Sequence, residues 1–189
     1  NRDDYITLET KHYGSYSKVY TGMNKKTKKM VAIKVLNGLF PSEFEFDHFK
    51  EYLSFFISLN HPSILSFVGF SYNPLPLLSI TNDMPGGTLS SRLHNKHKKL
   101  DPTKQTIIAL GIARGMQFLH HKGFIYRDLS SSKILLDEND HPFISDFKIM
   151  SHKDKNKNGM KQITAWTAPE LMIDGDYNQK VDVYSFGII

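Results

Sequence analysis

From Lys29 to Leu36 the chain reads K-M-V-A-I-K-V-L, and its side chains alternate between two faces with the period of a β-strand. Ala32 and Lys34 therefore share a face. The periodicity changes further along. Asp101 and Pro102 give a helix N-cap followed by proline at the first helical position. Ile108, Ile112, Met116 and Leu119 then fall on one face of a long helix, which Gly123 stops. Strands with one helix come first and a more helical part follows, an order that predicts an α+β fold.

Other signals fill in the order of elements. The Asn24–Lys28 stretch suits a turn between two strands, and Ser42-x-x-Glu45 fits a capping box for the next helix. Phe46, Phe49, Leu53, Phe56 and Ile57 then have helical spacing. Strands are expected at 65–72 and 77–81, and Met84-Pro85-Gly86-Gly87 punctuates the chain. A short helix at 89–93 follows. Strand pairs are expected at 134–136 and 143–145, with 137–141 as their turn. After Phe147 a polar, lysine-rich loop runs to about Gln162.

Hydrophobic content of 40%, with 12% aromatic, suffices for a buried core. Cysteine is absent, which excludes disulfides and thiolate metal sites. No apolar run approaches the roughly 18 residues of a membrane span, and no signal peptide opens the chain. These features favour a cytoplasmic protein. The sequence starts at Asn1 and ends at Ile189 inside an apolar, helix-like run, as expected of a piece cut from something longer. Net charge is +5, with lysines clustered at 25–29, 96–99 and 153–161. All three clusters lie in turn-like or loop-like stretches and read as solvated loops. No base-stacking aromatics are interleaved with them, so nucleic acid is not an expected partner.

The motifs are more specific. V-A-I-K stands at 31–34, Y-R-D-L-S-S-S-K at 126–133, D-F-K at 146–148, A-P-E at 168–170 and D-V-Y-S-F-G at 182–187. In that order the set resembles a eukaryotic protein kinase. The texture of His61-Pro62-Ser63-Ile64, Met84-Pro85-Gly86-Gly87 and Trp166 is most similar to the tyrosine-kinase-like branch. The resemblance implies a two-lobed fold, with a small β-rich lobe over 1–83 and an incomplete helical lobe over 84–189. Together these form one protein-kinase-like domain hinged near Met84.

It also implies ATP as the cofactor and assigns site residues. Ala32 would pack on adenine, with Val19 capping it and Leu135 as its floor. Thr81 would be the gatekeeper, and the main chain of Asn82 to Met84 would meet the adenine edge. Gly14 is the surviving glycine of the phosphate-cradling loop, where His12 and Ser17 replace two others. Lys34 would contact the α and β phosphates. Its family partner is a helix glutamate, but the spacing back from His61 puts Tyr52 there, with Glu51 next door. Asp128 would accept the substrate hydroxyl's proton, and Asp146 would hold magnesium. Asp182 would fasten the catalytic loop from below. Arg127 could grip a phosphorylated loop residue, for which Ser151, Thr164 and Thr167 are candidates.

Several positions depart from the pattern. Lys133 replaces the asparagine that holds a second magnesium, which puts a cation where a cation should bind and makes Mg²⁺ use doubtful. Tyr126 replaces a histidine, and Lys148 replaces the glycine of D-F-G. Ser130 replaces a lysine that meets the transferring phosphate. Ile163 replaces a threonine that holds the base, unless Thr164 takes that role. The expectation is a nucleotide-binding kinase-family domain with impaired catalysis, a pseudokinase or weakly active enzyme that serves protein partners in signalling. The alternative is an active ATP-dependent kinase phosphorylating Ser or Thr hydroxyls of a protein substrate, less so Tyr.

Overall fold

The computed structural model describes residues 2–13, 17–36, 53–71, 76–95, 99–147, 163–173 and 176–189. These form two compact units. One contains residues 1–60 and 65–84, and the other contains 61–64 and 85–189.

The first unit is a five-stranded antiparallel sheet in the order β1-β2-β3-β5-β4. Its strands are β1 (Tyr5–Tyr13), β2 (Ser17–Asn24), β3 (Met30–Leu36), β4 (Phe67–Ser71) and β5 (Leu77–Asn82). Asn24 builds the β2–β3 turn. Its side-chain oxygen accepts from the backbone N–H of Lys26 (3.0 Å) and Thr27 (2.9 Å), and Lys28 closes the turn at φ 57°. Alternation along β3 sorts its residues by face. Val31 and Ile33 join Leu78 and Ile80 in a core, with Tyr5, Tyr20 and Val35 packed against it.

Helix α1 is described over residues 53–58. Leu53 and Phe56 are buried, and the Phe56 ring meets that of Phe67 edge-on at 6.1 Å. Ile57, expected on the same face, is 54% exposed, because it falls beside the buried stripe. Ser42, Glu45, Phe46 and Phe49 lie outside the described residues. Strand β4 begins at Phe67, two residues later than expected, and Tyr72 lies outside the described residues. Ile64 makes an isolated parallel bridge to Ile144, and Leu65 is buried ahead of the strand.

The second unit holds a three-stranded sheet in the order β6-β7-β8, formed by Gly87–Thr88, Ile134–Leu136 and Pro142–Ile144. Its helices are α2 (Leu89–His94), α3 (Pro102–His121) and α4 (Lys180–Ile188). The Asp101 side chain caps α3 by accepting from the Lys104 N–H at 2.9 Å. Ile108, Ile112, Met116 and Leu119 are all buried. Gly115 is there for closeness, since a Cβ on it would come within 2.7 Å of Ile144 Cδ1. Gly123, at φ 76°, ends the helix in a conformation that a side chain disfavours.

A buried ionic cluster joins the pieces. The Arg92 Nε of α2 donates to Asp140 Oδ1 at 3.0 Å, and Lys104 Nζ of α3 donates to Oδ2 at 2.6 Å. Asp140 sits in the β7–β8 turn at φ 67°. Among the described residues no helix is long and apolar enough to cross a membrane.

Candidate functional site

In the first unit, strand register decides what lies together. Val19 pairs with Lys34, Lys34 with Ser79, Thr21 with Ala32 and Ala32 with Thr81. Paired residues project to the same side, so Val19, Ala32, Lys34 and Thr81 share one sheet face, opposite the Val31–Ile33 core. Beyond the end of β5, Lys11 of β1 reaches the Asp83 carboxylate at 2.5 Å and the Met84 carbonyl at 3.5 Å. Sequence reading missed this contact, since nothing local links positions 72 residues apart. Gly14, Glu51 and Tyr52 lie outside the described residues.

In the second unit the site is a loop held from beneath. Asp182, on α4, is 1% exposed. Its Oδ2 accepts the Tyr126 N–H at 2.8 Å and its Oδ1 the Arg127 N–H at 2.7 Å. The His120 ring bonds Oδ2 at 2.8 Å. Two charge-assisted backbone bonds offset the cost of Arg127 at φ 65°, a conformation that an L side chain disfavours by about 1–2 kcal/mol. The expected fastening of the loop by Asp182 is thus seen in its hydrogen bonds. The Arg127 guanidinium donates to the Tyr177 hydroxyl at 2.8 Å.

Tyr126 places a ring in a buried aromatic group. Its centroid lies 5.7 Å from Phe147 and 6.4 Å from Phe124. Its hydroxyl donates to the Ser145 carbonyl. Ser145 in turn fixes the neighbouring strand, because its N–H (2.9 Å) and its hydroxyl (2.8 Å) both donate to the Lys133 carbonyl. Asp146 follows at φ 52°.

These bonds bring Asp128, Lys133 and Asp146 together. Lys133 Nζ donates to Asp146 Oδ2 and lies 4.0 Å from Asp128 Oδ2. Leu135, two residues on, is half-buried in β7. Ser130 is buried and shares a hydrogen bond with Ser132 at 2.9 Å. The Thr164 hydroxyl is 3.2 Å from that of Thr167, and Ile163 is 64% exposed. Ser151 and Lys148 lie outside the described residues.

The kinase family uses ATP and Mg²⁺ in general, and in this chain a cation already occupies part of the donor set that would hold the metal. A carboxylate that would ligate one ion already carries an ammonium, and the second ligand is that ammonium's own residue. Among the described residues no cluster of three His, Cys, Asp or Glu could hold a metal by itself.

The sequence profile described as "Protein tyrosine and serine/threonine kinase" matches residues 8–189. A probable serine/threonine-protein kinase of Dictyostelium discoideum is 35% identical over 179 residues, covering 93% of this chain and 19% of the relative. Serine/threonine-protein kinase TNNI3K of Homo sapiens is 35% identical over 184 residues, covering 93% and 22%. Tyrosine-protein kinase Fer of Rattus norvegicus is 32% identical over 193 residues, covering 100% and 23%. The chain thus spans about a fifth of the length of these relatives. With its ordered motifs, its α+β architecture and a match over nearly its whole length, the chain belongs to the protein tyrosine and serine/threonine kinase family.

Proposed function

We propose that this chain is a nucleotide-binding kinase domain whose phosphoryl transfer is impaired, acting on or through protein partners in cytoplasmic signalling. The observation that carries the impairment is the Lys133 ammonium on the Asp146 carboxylate. Phosphoryl transfer depends on positioning and charge neutralisation around the phosphates. Here one metal-ligating carboxylate is already neutralised by a side chain, and the proton acceptor Asp128 has the same cation 4.0 Å away. Ser130 offers a buried hydroxyl where the family pattern has a cation.

The nucleotide assignment follows the family motifs. It gives Gly14, Val19, Ala32, Thr81, Asn82, Met84 and Leu135 to the base and its surroundings. Lys34 goes to the phosphates, Asp146 to their counter-cation and Asp128 to the substrate hydroxyl. The common sheet face of Val19, Ala32, Lys34 and Thr81 supports it. The tyrosine-kinase-like branch is the subgroup that the 61–64 and 84–87 stretches favour.

An active Ser/Thr kinase is the second reading, supported by the retained Asp128 on a loop fastened by Asp182. The two separate in a transfer assay with the full-length protein, labelled ATP and a generic basic protein substrate. Background incorporation is expected. Robust incorporation that Asp128→Asn abolishes would establish the active enzyme instead.

A further inference from the structure

Lys133 does more than remove a ligand. Its backbone is pinned at both polar groups, the N–H to the Ser130 carbonyl (2.9 Å) and the carbonyl to the N–H and hydroxyl of Ser145. The stem therefore starts from a fixed point, and the ammonium ends on Asp146 with Asp128 4.0 Å away. Lys133 is also partly buried, with its side chain 25% exposed, so solvent screens the charge less than on an open surface.

Asp128 and Asp146 put two carboxylates beside the Lys133 ammonium. Without a cation such a cluster would repel a polyphosphate, and with Lys133 the nearest charge to Asp146 is positive. An ammonium has three N–H donors. Asp146 takes one and the Asp128 side takes the direction of another, so a third can meet a phosphate oxygen. A side-chain cation is always present at full occupancy, whereas a divalent ion must compete with it for the Asp146 carboxylate.

We propose that Lys133 is the resident counter-cation of this site, and that the chain binds nucleoside di- or triphosphates in metal-free form. This rests on the nucleotide-binding reading and adds to it the chemical form of the ligand. Phosphate charge is met by a fixed +1 that cannot bridge two phosphates as a divalent ion does.

The test is a titration of the full-length protein with a fluorescent ATP analogue, followed by anisotropy, in Mg²⁺ and in excess chelator. The wild type should bind with dissociation constants within about threefold of each other in the two buffers, less than the tenfold that corresponds to 1.4 kcal/mol. Lys133→Asn should weaken chelator binding by about tenfold or more, and Mg²⁺ should restore it. Wild-type binding that disappears in chelator would overturn the proposal while leaving the nucleotide site standing. Absence of binding in both buffers would overturn both. Metal-independent binding that Lys133→Asn leaves unchanged would show that the cation is not Lys133. The wild-type comparison decides metal independence even if Lys133→Asn does not fold, and Lys133→Gln, which keeps more of the stem, then decides the role of Lys133.

Discussion

Lys11 and Asp83 form a 2.5 Å ion pair that ties the C-terminal part of β1 to the residue just past the end of β5. The Lys11 side chain is 38% exposed, so the pair is screened and adds little to global stability, about 0.2–1 kcal/mol for such contacts. Its effect should be local. Lys11→Ala is expected to leave the melting temperature nearly unchanged while amide exchange at Asp83 and Met84 speeds up. Unchanged exchange at those amides would show that the pair does not hold this segment.

Asp140 should behave oppositely. Arg92 and Asp140 are both more than nine-tenths buried, so removing the carboxylate leaves a buried guanidinium without its main counter-ion. Asp140→Asn tolerates the positive φ while deleting the charge, and is expected to cost about 3 kcal/mol in urea unfolding. A loss under about 0.5 kcal/mol would mean that the cluster is already compensated by solvent, as at exposed pairs.

The same residue sets an acid limit. The Arg92 hydrogen bond, and secondarily that of Lys104, holds the Asp140 pKa down at about 2 against an ordinary 3.8. Between those values the unfolded chain binds the proton more readily, so stability rises with pH. The contribution is therefore fully present above 3.8 and is lost as pH falls through about 2. Unfolding midpoints across pH 2–5 should slope for the wild type more steeply than for Asp140→Asn, and equal slopes would refute the assignment.

Asp182 and Tyr126 can be separated by paired substitutions. Asp182→Ala removes two charge-assisted bonds, from the buried Tyr126 N–H and the part-buried Arg127 N–H, and leaves Arg127 at positive φ with less support. A loss of about 3 kcal/mol or more is expected from bonds of this class. Tyr126→Phe keeps the ring among Phe124 and Phe147 and loses the bond to Ser145, so about 1 kcal/mol is expected. If the two losses came out equal in denaturant titrations, Asp182 would not be the main fastening of the loop.

Legibility in the sequence followed the range of each interaction. Alternation along β3 put Ala32 and Lys34 on one face, and the structure buries Val31 and Ile33 on the other, because strand period is a local property. Asp101, Pro102 and Gly123 framed α3 for the same reason. The Lys133–Asp146 pair joins two motif positions that the family resemblance assigns to one site. The Lys11–Asp83 and Arg92–Asp140 pairs were not, since their partners lie 72 and 48 positions apart and no repeating pattern marks them. Ile57 was misplaced because an apolar residue at helical spacing still needs a neighbouring surface to cover it.

The two bonds that Ser145 sends to the Lys133 carbonyl have a practical consequence. They are made by main chain and by a neighbour, so the identity of side chain 133 is not needed to form them. The backbone under the ammonium immediately precedes β7, and the backbone under its carboxylate lies two residues past β8, the strand that pairs with β7. Residue 133 can therefore be exchanged for a neutral, a shorter or an acidic side chain while its partner stays in register. Such a series would grade charge at a fixed place and turn the site's electrostatics into an adjustable variable.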